Sequence, residues 1–162
     1  MSDKLKNFTV SDFDRFDCVK LSKTLYIALL FLLRGYLVWL MTITNFNDRT
    51  GIIELIYPNS SMFYLNLVSG SLGLFILLLI SLRRPNAASW VINLWPRVLQ
   101  LIIVALVIDM LVVSVAYIQW QLTSFTIVVV QLLFAAICIL ICIKSKRLKL
   151  NIEEFPEPLP DK

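Results

Sequence analysis

The stretch LYIALLFLLRGYLVWLMTI, from Leu25 to Ile43, limits what this chain can fold into more than any other. It carries nineteen residues and one charge, Arg34, near its middle. As a helix rising about 1.5 Å per residue it reaches across a hydrocarbon core of about 30 Å. An arginine at mid-bilayer costs about 2.5 to 3.5 kcal/mol, whereas Leu, Ile, Phe and Val each return about 0.3 to 0.6 kcal/mol. Eleven such residues surround Arg34. The stretch therefore inserts, carrying a cation that needs a partner.

Three more apolar runs follow, and the sequence predicts an all-α integral membrane four-helix bundle with spans at Leu25–Ile43, Met62–Leu82, Val98–Tyr117 and Ser124–Ile143. A hydrophobic fraction of 59% and a mean hydropathy of +0.81 are too high for a soluble domain of 162 residues. The net charge of +4 does not mark a nucleic-acid binder, because the basic residues flank apolar runs and do not interleave with aromatics on a polar face. No histidine is present, and Cys18, Cys138 and Cys142 have no metal-site spacing, so no metal or other cofactor is expected. Cys138 and Cys142 read as small apolar residues on one helical face.

Residues 1–24 form a polar cytoplasmic segment in which Phe8 to Phe16 is a candidate interfacial helix. Its acidic residues and length argue against a cleavable signal, so the first helix is expected to stay in the mature protein. In the next connection IIELIY is too short to span and is expected to rest on the interface. Ser69, Gly70 and Gly73 make a packing face on the second span, with Ser69 and Gly73 in the small-xxx-small relation. Asn86 to Arg97 reads as an amphipathic connector with Trp90 and Trp95 at the headgroup level. Residues 144–162 read as a basic and then acidic, proline-rich tail; its last part, EEFPEPLPDK, is too polar to fold on its own. Thirteen Lys and Arg fall on one side of the spans and only Arg49 on the other, which predicts both termini inside.

Counted from the inner basic anchors, Arg34, Asp109, Gln131 and Ser71 all lie roughly 16 to 20 Å deep. Charges in a bilayer avoid lipid, so Arg34 and Asp109 are expected to pair inside the bundle, with the guanidinium bonded two ways to the carboxylate. Gln131 and a serine of the second span would take up the remaining hydrogen bonds. The pair then either fixes helix register or belongs to a proton or solute path. The catalytic side chains of a membrane hydrolase or transferase are missing, so no enzyme is expected.

Several stretches resemble the YfeZ-like family, a domain-of-unknown-function family of uncharacterised bacterial inner-membrane proteins. They are DFDRF (Asp12 to Phe16), LLFLLRG with Arg34 and Gly35, IYP (Ile56 to Pro58), and SLRRP (Ser81 to Pro85) followed by Trp90. Asp17 and Ser22 stand where the family pattern has a glycine and a proline. The resemblance implies a multi-pass bacterial inner-membrane location and supplies no mechanism. The expected role is an accessory or structural membrane component, and the alternative is a small oligomeric proton- or solute-coupled transporter using the Arg34 and Asp109 layer. Expected partners are the lipid bilayer and either another membrane protein or further copies of the chain, with no nucleic acid.

Overall fold

A break stands where one straight span was expected. In the computed structural model, which describes residues 13, 18–44, 53, 56, 57, 59–120 and 124–156, α1 (Lys23–Leu32) and α2 (Arg34–Thr44) meet at Leu33 with a bend of 67°. Ser22 caps α1 by accepting from the Thr24 amide at 3.3 Å. At about 1.5 Å per residue the bent pair covers only roughly 22 to 26 Å along its long direction, less than a straight helix of that length. Sharp bends occur where glycine lowers helix propensity or a side chain enters the hydrogen-bond ladder. Both conditions hold here, with Gly35 just beyond the break and the Arg34 guanidinium bonded to the Phe31 carbonyl oxygen at 3.0 Å.

Among the described residues three further helices are long and apolar enough to cross a membrane: α3 (Ser60–Ser81), α5 (Val98–Trp120) and α6 (Phe125–Lys144). The short α4 (Ser89–Leu94) runs through a 3-10 turn, Trp95–Arg97, into α5. Among the described residues there is no strand, only an isolated bridge between Phe13 and Val19. Helix α1 packs on α3 and α6, α3 on α5, and α5 on α6, which closes a ring, while α2 after the bend packs chiefly on α3.

The outer surface of the ring is apolar and its centre holds polar groups. Val68, Ile118, Leu30, Val130 and Leu133 are all exposed, whereas Asp109, Ser69 and Asn66 are buried. Those polar residues divide the core in two. Toward the basic end lies a large cluster that includes Leu25, Leu32, Ile76, Ile102 and Cys138, and toward the other end a small one of Val38, Tyr57, Met62, Phe63 and Ala116.

The basic end is closed by the start of the tail, for which no helix was expected. The start of the tail forms α7 (Lys146–Glu153), capped by Ser145, whose Oγ accepts from the Leu148 amide at 3.2 Å. Leu148 and Asn151 face inward. Asn151 joins three segments: its Nδ2 donates to the carbonyls of Val19 at 2.8 Å and Lys20 at 3.2 Å, its Oδ1 accepts from the Ser22 amide at 2.8 Å, and its own carbonyl accepts from Trp95 Nε1 at 3.0 Å. Trp95 is therefore fully buried inside this end of the bundle and does not stand on its surface, while Trp90 is exposed beside Phe75. The start of EEFPEPLPDK is also folded, because Glu154 accepts from the Val19 amide at 2.8 Å, Phe155 meets the Trp95 ring edge-on and Pro156 is buried. Residues 157–162 lie outside the described residues, as does the candidate interfacial helix Phe8 to Phe16 apart from Phe13.

Candidate functional site

The polar layer is assembled by the break. Arg34 is the first residue of α2, and its position there turns the guanidinium back toward the end of α1 and across to α5. Nη2 lies 3.0 Å from Asp109 Oδ1, and Nη1 donates to the Phe31 carbonyl. The guanidinium also lies over the Phe31 ring, with Cζ 4.5 Å from the centroid. The ion pair is thus single-contact and not the two-way pairing expected from the sequence. The second arm of the fork caps the broken helix, and Nε is buried without a partner.

Asp109 is 2% exposed, and its Oδ1 also accepts from Ser69 Oγ at 3.0 Å. The serine that joins the layer is thus Ser69, expected only to pack, and not Ser71, expected in the layer. Ser71 lies at a similar depth, but two residues along a helix turn the side chain by about 200°. Its hydroxyl therefore faces outward and bonds to the Val68 carbonyl at 2.7 Å. Gln131 does not join the pair, since its Oε1 is buried with no hydrogen-bond partner. Asn66 was not foreseen in the layer: Nδ2 donates to the Met62 carbonyl and Oδ1 is buried without a partner.

The connection before α3 also reaches the layer. Tyr57, expected to rest on the interface with IIELIY, is buried and close enough to interact with Arg34 through its hydroxyl. Burial raises its pKa above the ordinary 10, and the nearby guanidinium offsets part of that rise, so the phenol is neutral at physiological pH.

Gly70 and Gly73 allow α3 to touch the break. A Cβ on Gly70 would stand 2.8 Å from the Leu32 carbonyl oxygen, and one on Gly73 3.0 Å from Leu32 Cβ. The packing face read from the sequence is therefore where α3 lies against the end of α1, with Ser69 beside it aimed at Asp109. Among the described residues no three His, Cys, Asp or Glu side chains group to hold a metal ion.

A family model described as "Protein of unknown function (DUF2919)" matches residues 8–154. The chain belongs to the DUF2919 family. No curated protein and no solved structure matches this DUF2919 protein. The match spans both halves of the ion pair and most of the closure at the basic end, including Asn151 and Glu154. For this DUF2919 protein the chemistry of the layer must accordingly be read from its own geometry.

Proposed function

We propose that this DUF2919 protein is a multi-pass component of a bacterial inner membrane, with both termini in the cytoplasm, serving as an accessory or structural element. The YfeZ-like resemblance and the charge bias support that compartment and orientation. The bent pair then counts as one span, giving four. The observation that carries the structural role is the bonding of Arg34, whose two terminal nitrogens are engaged by the Phe31 carbonyl and by Asp109. A carboxylate that is 2% exposed and bonded to both Arg34 and Ser69 holds three helices in one rotation. Surface grooves among the described residues, such as those lined by Thr24 and Lys144, by Tyr64 and Trp120, and by Leu30 and Leu37, have neither Arg34 nor Asp109 in their walls.

Co-purification of the full chain from native membranes in mild detergent tests this role. A stoichiometric second membrane protein supports the accessory reading. A homo-oligomer with pH-dependent solute binding that disappears in Asp109→Asn favours the transporter instead.

A further inference from the structure

One of those grooves combines an apolar floor with a cationic rim. It encloses about 520 Å³ and is lined by Thr24, Ile137, Leu140, Ile141, Lys144 and Ser145. Positions 137, 140, 141 and 144 follow the i, i+3, i+4, i+7 spacing, so they share one face of the last two turns of α6. Thr24, in the first turn of α1, forms the opposite wall. The three apolar side chains are 45 to 56% exposed, and Lys144 has no acidic partner among the described residues. Lys23 and Lys146, both exposed, are the chain neighbours of Thr24 and Ser145 and add to the positive potential at the rim.

From these observations we propose that the groove between α1 and the end of α6 binds one anionic phospholipid of the cytoplasmic leaflet. The phosphate lies at Lys144 with the hydroxyls of Thr24 and Ser145 within its reach, and an acyl chain runs over Ile141, Leu140 and Ile137. From Lys144 to Ile137 the floor descends about 10 Å, from headgroup level into hydrocarbon. Basic pockets between helices at a cytoplasmic face recognise such headgroups. A second copy of the chain fits less well, because a copy inserted in the same orientation would bring its own Lys144 and Lys23 to the same level and repel. The occupant that matches this surface carries a negative head on an apolar tail. The site rests on the membrane reading given above.

Native mass spectrometry of the detergent-solubilised full chain tests the proposal, with phosphatidylglycerol and phosphatidylcholine of identical acyl chains as probes. The expected result is preferential retention of one phosphatidylglycerol. Lys144→Gln should weaken it about fivefold, as expected for one lysine near a headgroup. Leu140→Trp, which fills the floor, should weaken it as well, and Lys149→Gln on the exposed side of α7 should leave it unchanged. Equal retention of the two lipids, or a loss in Lys149→Gln as large as in Lys144→Gln, would overturn the site. Alkaline carbonate washing of phosphatidylcholine vesicles that carry the protein separates the two levels of failure. Release by carbonate refutes the membrane reading itself, whereas protein that stays in the vesicles without lipid preference refutes only the groove.

Discussion

Asp109 shows how one carboxylate oxygen can organise three helices. Oδ1 accepts from Arg34 at the start of α2 and from Ser69 on α3, while its own backbone lies mid-way along α5. Neither donor is redundant, but they differ in what their loss leaves behind. Ser69→Ala removes one neutral donor and leaves the ion pair, so unfolding in mixed micelles should show a loss of about 0.6 to 1.7 kcal/mol. Depth alone, counted along the sequence, brought Arg34 and Asp109 to one level, and the need to hide both charges from lipid pointed them at each other. Counting depth could not choose between Ser69 and Ser71, because the face of α3 that meets α5 is fixed by packing. Asn66 and Tyr57 had no signal of their own: an asparagine near a helix start reads as interfacial, and Tyr57 ends an apolar run too short to span, which reads as interfacial too.

At the level of elements, the bend between α1 and α2 is the feature that hydropathy conceals. A sliding sum over Leu25 to Ile43 sees one apolar run, since a break changes direction and not composition. The available hint was local, an arginine followed by Gly35 in the middle of a span, and it was read as charge instead of geometry. The bend persists because α3 fits beneath it at Gly70, where any side chain would press on the Leu32 carbonyl. Gly70→Ala should therefore cost about 1 to 3 kcal/mol in the same unfolding assay, since a backbone oxygen cannot swing aside. Ser71→Ala, next in the chain but facing outward, should stay within about 0.5 kcal/mol of the parent. Helix α7 was missed for a related reason. Its eight residues have only a thin apolar stripe, and their stability comes from Asn151 and Leu148 docking under the bundle.

For the whole molecule, the two ends of the bundle are unequal. The basic end has the larger core and is sealed where Val19 to Ser22, Trp95, α7 and Phe155 meet around Asn151. Asn151→Ala would leave the Ser22 amide and the Val19 and Lys20 carbonyls without that partner, at a cost of about 1 to 3 kcal/mol for each group left buried and unpaired. The expected outcome is faster protease cleavage on both sides of α1 and α7 together, because one side chain ties both segments. Side-specific labelling of single cysteines tests the orientation of the same assembly: a cysteine at position 120 should react with an impermeant reagent added to intact cells, and one at position 146 should not. The reverse pattern would place the sealed end outside.

The meeting of Arg34 and Asp109 at the break between α1 and α2 is tested most directly by a double-mutant cycle of unfolding free energies with Arg34→Met and Asp109→Leu. The loss of the Phe31 cap is common to both variants that lack Arg34 and cancels in the cycle. An ion pair at the break with its carboxylate buried and its guanidinium largely so predicts that Asp109→Leu alone, which strands the guanidinium, costs about 3 to 5 kcal/mol. It also predicts that the double variant is more stable than the sum of the singles by at least about 1 kcal/mol. Strictly additive losses would contradict it, since two charges that do not touch have nothing to share.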